Sequence, residues 1–100
     1  MIAEREALTV QHFPPVEVVA SRIDGICAFD RSAELGKIRT PTLVLCAKDD
    51  AITPAYFSEE LARRIPGAKL RIMSDGGHCA SEAVTDEFNG VVLEFLASQK

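Results

Sequence analysis

The sequence predicts an α/β fold: two short parallel strands, a helix after each, and a helical stretch in front. Three observations carry this. TLVLCA (42–47) is an unbroken apolar run with no polar alternation, as in a strand flanked on both faces within a parallel sheet. KLRIM (69–73) is a second short strand-like run. Between and after them, apolar residues recur at three- and four-residue steps, the period of a helix with one buried face.

In chain order, residues 1–14 show no pattern that assigns an element. HFPP (12–15) breaks any helix and starts the next, because proline is tolerated in a first turn. From Val16 to about Asp30 the residues Val16, Val19, Ala20, Ile23, Ile26 and Cys27 line one helical face. Gly25 weakens that helix by up to ~1 kcal/mol relative to alanine. Ser32 to Leu35 forms a short turn ended by Gly36, and Pro41 fits only at the start of the first strand.

After the loop KDDAIT, Pro54 takes the first helical position and Thr53 caps it. Phe57, Leu61, Ala62 and Ile65 form the buried stripe, with Glu59–Arg63 and Glu60–Arg64 as i,i+4 pairs on the wet side. Pro66-Gly67 stops this helix. Beyond SDGGH, Thr85 caps a last helix with Asp86 and Glu87 in its first turn. Phe88, Val91, Val92, Phe95 and Leu96 supply its stripe.

Composition narrows the classes. One small domain fits in 100 residues, and 47% apolar with 26% charged residues is a globular profile. The net charge of −4 and the lack of a Lys/Arg cluster argue against a nucleic-acid surface. No apolar run approaches the ~20 residues of a membrane span. MIAEREALTV lacks a basic start followed by an apolar core, so no secretory signal is expected. Cys27, Cys46 and Cys79 are odd in number and widely spaced, so a reducing cytoplasm is the expected compartment.

The chemistry-bearing residues follow from topology. A strand–helix–strand unit is a parallel crossover, and ligand groups gather at the carboxyl ends of its strands. Asp50 and His78 each fall just past a strand. A carboxylate on one imidazole nitrogen holds the tautomer that lets the other nitrogen accept a proton. His78 is then the general base and Asp50 its orienting acid. The glycines before His78 allow a sharp turn close to the site. Asp49 is a rival acid, and Asp75 lies too near His78 in sequence to bridge from the neighbouring strand. His12 is a rival base without an acid on a matched strand end, and Cys79 invites a Cys–His reading. The bland alternatives are a solvated loop histidine and an acid pair that only caps a helix. Cys46, Asp50, His78 and Cys79 lack standard metal-ligand spacing, so neither a metal nor another cofactor is expected.

KIRTPTLVLCAKDDAITP, SEELARRIPGAKL, GGH and DEFNGVVLEFL together resemble the C-terminal end of an α/β-hydrolase. The resemblance implies a partial α/β-hydrolase fold: residues 1–36 as the end of a helical cap, and residues 37–100 as the last two parallel strands of the core with their helices. It places the family's acid on Asp50, four before Pro54, and the family's histidine on His78. AFDRSAELGKIRTPTLV, YFSEELARRIPGA and GGHC are similar to the pyrimidine-utilisation protein D group, aminoacrylate hydrolases of uracil degradation. After His78, CASEAV departs from the Cys-Asn-x-Thr-like stretch common there. The group implies a small-molecule substrate, an enamine or amide-like C–N compound such as 3-aminoacrylate or carbamate, hydrolysed with release of ammonia.

That family's nucleophile sits in a G-x-S-x-G elbow. None of Ser21, Ser32, Ser58, Ser74, Ser81 and Ser98 is flanked by glycines in that pattern. The expectation is a truncated or split hydrolase with acid and base but no nucleophile, and so little activity alone. A strand that expects two neighbours and has one leaves an edge that templates association. A homo-oligomer, or pairing with an N-terminal hydrolase fragment, is therefore expected. The alternative is a non-catalytic α/β module that self-associates or binds a partner through that edge.

Overall fold

The computed structural model describes residues 2–99. Two compact units divide after Asp30.

The first unit holds two helices. α1 (Ile2–Gln11) occupies the stretch whose sequence assigned nothing. α2 (Val16–Ala28) begins directly after the two prolines, and its first amides turn back on Pro15, with Val18 N–H and Val19 N–H donating to the Pro15 carbonyl. The expected apolar face of α2 forms, but no residue of this helix is buried, and Val16, Ile23 and Ile26 all stay more than half exposed. The apolar spacing sets which face seeks burial; it does not supply what would cover it.

The second unit opens with a 3₁₀ helix (Ser32–Lys37), which runs one residue past the expected break at Gly36. β1 (Leu43–Ala47) and β2 (Lys69–Met73) follow, joined by α3 (Ala55–Arg64). The strands pair in parallel, Leu43 opposite Lys69 and Ala47 opposite Met73. Hydrogen bonds extend the ladder at both ends: Lys69 N–H donates to the Thr42 carbonyl, and Lys48 N–H to the Met73 carbonyl at 2.7 Å. Among the described residues β1 has no other strand partner, so only Val44 and Ala47 of its five residues are buried. The burial on both faces that the run implies is half met.

α3 ends as expected, with Gly67 at φ 71 in the left-handed conformation that favours glycine. Ile65 anchors it in the core, and Glu60 pairs with Arg64 at 2.9 Å. Two expectations for this helix are corrected. Phe57 and Leu61 remain 46% and 39% exposed, because they face an open cavity instead of a packed layer. Thr53 does not cap the helix: Pro54 stands at the cap position, and no side chain caps there.

A short helix, α4 (Ala80–Ala83), precedes α5 (Thr85–Ala97), and no apolar period in the sequence announces it. Thr85 is the first residue of α5 rather than its cap, and its hydroxyl donates back to the Ser81 carbonyl at 2.9 Å. The core sits between sheet and final helices. Ala47, Met73 and Ala80 form its centre, with Leu45, Val84 and Phe88 packed around them. Val91 of α5 is buried, and Leu96 of the expected stripe stays exposed. Among the described residues, no helix is long and apolar enough to cross a membrane.

Candidate active site

The ends of the two strands hold the two loops that matter. Parallel register puts Ala47 beside Met73, so the chains leaving them start side by side. Asp50 N–H donates back to the Ala47 carbonyl, which turns the first loop tightly at the strand end. The second loop turns on Gly76 at φ 111 and Gly77 at φ 65. A Cβ at Gly76 would lie 2.8 Å from Val84 Cγ2 and 3.0 Å from Ala80 Cβ, so this loop packs against α4 closer than any side chain permits.

The adjacent acids divide between the two neighbours they face. Asp49 Oδ1 accepts the Gly77 N–H at 2.9 Å, tying one loop's side chain to the other loop's backbone. Asp50 Oδ2 lies 3.1 Å from His78 Nδ1. The Asp50 side chain is 7% exposed and that of His78 is 44% exposed, so a buried carboxylate holds an accessible imidazole.

Asp50 is saturated. Its Oδ1 accepts the Ile52 and Thr53 backbone N–H groups, each at 2.9 Å. Its Oδ2 accepts the Thr53 hydroxyl at 3.0 Å as well as facing the imidazole. These donors lower its carboxyl from 3.8 to about 2, the Thr53 N–H contributing most. Burial opposes the shift, while His78, the Thr53 hydroxyl and the Ile52 N–H add to it. Asp50 is thus ionised at neutral pH, and an ionised carboxylate only accepts. His78 Nδ1 is therefore the donor in the contact, and in the neutral ring this leaves the lone pair on Nε2, the form a general base requires.

A cavity of about 370 Å³ opens beside the pair. Leu45, Cys46 and Met73 come to it from the strands, Phe57 and Leu61 from α3, and Phe88 from α5. Asp50, Thr53 and His78 are its polar corner. A mostly apolar hollow with a few convergent polar groups is the usual form of a small-molecule site.

Of the other residues weighed from sequence, Asp49 is in the cluster but holds backbone, not imidazole. His12 lies beyond α1 in the first unit, with its N–H on the Leu8 carbonyl. Asp75 sits in the bend after β2, and Cys79 is exposed as a free thiol. Cys46 lines the cavity, also as a free thiol. Thr53 is the member that sequence reasoning assigned elsewhere. Its signal is present: an aspartate two and three residues ahead of backbone N–H groups is a turn-forming arrangement that competes with helix capping.

Known proteins resemble this chain in sequence and fold. The alpha/beta hydrolase fold family matches residues 12–82. A protein of Stutzerimonas stutzeri named as carbamate hydrolase RutD is 39% identical over 98 residues, covering 98% of this chain and 37% of the relative. Its namesake from Azorhizobium caulinodans is 41% identical over 95 residues, covering 95% of this chain and 36% of the relative. The chain thus spans little more than a third of the length of these relatives. Among solved structures, a hydrolase from Pseudomonas aeruginosa superposes with a TM-score of 0.65 at 35% identity, over 69% of this chain and 26% of that one. A serine hydrolase involved in carbazole degradation, the CarC enzyme, gives 0.66 at 28% identity, over 69% and 27%. With two parallel strands, their helices and a family match across most of its residues, this chain belongs to the α/β-hydrolase fold family.

Proposed function

We propose that Asp50 and His78 are the acid and base of a hydrolase site whose nucleophile comes from beyond these residues, from a longer chain or a second one. The observation that carries this is the 3.1 Å contact between His78 Nδ1 and Asp50 Oδ2, made by a carboxylate whose other oxygen is already occupied. His78 Nε2 takes a proton from the nucleophile or from water, and Asp50 stabilises the imidazolium that forms. The imidazolium then returns the proton to the leaving nitrogen. Residues 1–36 read as the end of a cap segment and residues 37–100 as the end of the core.

The relatives support a substrate class. Carbamate hydrolase names recur among them, and the cavity suits a small molecule. The reading is therefore cleavage of a C–N bond in a carbamate or 3-aminoacrylate. Water supplies the oxygen and nitrogen leaves as ammonia, a nitrogen-releasing step of cytoplasmic pyrimidine degradation.

The test joins this chain to the N-terminal part of the Stutzerimonas stutzeri relative and measures ammonia release from carbamate and from aminoacrylate generated in place. A p-nitrophenyl ester runs in parallel. This chain alone is expected to match its own His78→Ala variant. The joined protein is expected to turn over, and to lose about 10⁴-fold or more of kcat in His78→Ala. A joined enzyme that keeps its rate without His78 refutes the assignment.

A second reading has its own observation. β1 pairs only with β2 among the described residues, and Phe57, Leu61, Ile72 and Leu93 are exposed apolar side chains in the same unit. A non-catalytic module that self-associates or binds a partner through the sheet edge would use these features without needing His78.

A further inference from the structure

We infer that Thr53 is a positioning residue that locks the Asp50 carboxylate and fixes the tautomer of His78, an inference resting on the acid–base reading above. Thr53 touches both partners. Its hydroxyl oxygen stands 3.0 Å from Asp50 Oδ2 and 3.2 Å from His78 Nδ1. Its backbone N–H reaches the other oxygen, Asp50 Oδ1, at 2.9 Å. One residue therefore grips both ends of the carboxylate and closes a triangle with the imidazole.

The hydroxyl has one proton and two neighbours that could take it. Asp50 is ionised and accepts only, so two hydrogens converge on its Oδ2: one from Thr53 and one from His78 Nδ1. The Thr53 oxygen then turns its lone pairs toward Nδ1–H and shares that hydrogen. The other tautomer, with its proton on Nε2, would set a bare Nδ1 lone pair 3.1 Å from a carboxylate oxygen. It could be relieved only if the Thr53 hydroxyl turned away from Asp50 to donate to Nδ1. That exchange gives up a charge-assisted bond for a neutral one. With its proton held by Asp50, the Thr53 oxygen accepts from Nδ1, and that accepted hydrogen biases the ring toward the Nδ1–H form, whose free nitrogen is Nε2.

The position of Thr53 explains why it can do this. Ile52 N–H and Thr53 N–H both close on Asp50 Oδ1, so the Asp50–Thr53 turn is one rigid loop leading to Pro54. The hydroxyl is carried by the backbone that already holds the carboxylate, and it loses little freedom on bonding there.

The experiment uses the chain as it is, with the imidazole nitrogens of His78 read by ¹⁵N NMR at neutral pH in the parent, Thr53→Val, Thr53→Ser, Thr53→Ala and Asp50→Asn. Valine keeps the shape and the backbone donor and removes only the hydroxyl. Alanine serves the same end should valine not fold. The parent is expected to show His78 mainly as the Nδ1–H form. Thr53→Val is expected to lower the Nδ1–H to Nε2–H ratio several-fold, up to about tenfold, the scale of the one neutral hydrogen bond lost between Nδ1–H and the Thr53 oxygen. Thr53→Ser is expected to restore it. A ratio unchanged in both Thr53→Val and Thr53→Ala overturns the role of Thr53 and leaves the Asp50–His78 pair standing. A parent ratio that Asp50→Asn does not alter overturns the pair itself, and the inference with it.

Discussion

Replacing Gly76 with alanine separates the two glycines that carry the chain into His78. Gly77, at φ 65, has open space on the side where a methyl group would stand, with no heavy atom within 4 Å of that position. Its cost is the left-handed backbone alone, about 1–2 kcal/mol. Gly76 is worse on two counts. Its φ of 111 lies outside the left-handed helical well that other residues can visit. Its added carbon would meet Val84 Cγ2 at 2.8 Å, Ala80 Cβ at 3.0 Å and Ala80 Cα at 3.2 Å. Alanine has no rotamer with which to retreat, and valine is stiff at χ1, so the strain must go into backbone. Adding overpacking of about 1–3 kcal/mol to the backbone cost makes Gly76→Ala about 2–5 kcal/mol destabilising. That is a large part of the roughly 5–15 kcal/mol that holds a small domain together. Urea unfolding followed by circular dichroism measures both variants. With a slope of about 1–2 kcal/mol per molar, the Gly76→Ala midpoint should fall about 0.5–3 M below that of Gly77→Ala. Equal midpoints would mean that Gly76 is not held against α4, and the account of how the loop is fixed would be wrong.

Two other predictions bear on the same unit. The Asp50 carboxyl stands at about 2 in the fold against an ordinary 3.8, so the folded state favours its ionised form. That stabilisation is fully present above about pH 4 and drains away as pH falls through 3.8 toward 2, because the unfolded chain takes up the proton first. Asp50→Asn should flatten the stability profile over that window, and equal slopes in parent and variant would refute the contribution. The edge of β1 that has no strand partner among the described residues should drive a dimer or larger assembly, read by size exclusion with light scattering; a sharp monomer peak at high concentration counts against it.

The first strand was legible because a continuous apolar run bounded by proline and acids has few other uses in a chain this short, and the second because Leu70, Ile72 and Met73 form a short strand-like run after the break at Pro66-Gly67. Leu43–Ala47 and Lys69–Met73 fall where TLVLCA and KLRIM pointed. The helices at Val16–Ala28, Ala55–Arg64 and Thr85–Ala97 were legible because each is long enough to repeat its apolar step. What failed was the local detail. Thr53 fits the composition of a helix cap, but a nearby carboxylate competes for its hydroxyl, and sequence spacing does not rank the two bonds. α4 has four residues, too few to show a period. α1 carries only a weakly apolar pattern, and nothing in its sequence distinguished a helix from a coil.

The acid pair shows why geometry had to decide what spacing left open. Adjacent side chains leave the backbone in different directions, so neighbouring aspartates rarely serve the same partner. Here the two partners are themselves adjacent: Asp49 takes the Gly77 N–H, and Asp50 takes the His78 ring. Each bond makes the other easier to form, since fixing the backbone at Gly77 limits where the next side chain can swing. The contacts that hold the imidazole in place come from residues 47–78: the strand-end turn at Ala47, the Asp50–Thr53 loop, and the Asp49 tie to Gly77. The contact between Asp50 and His78 is thus set by the loops of one strand–helix–strand unit.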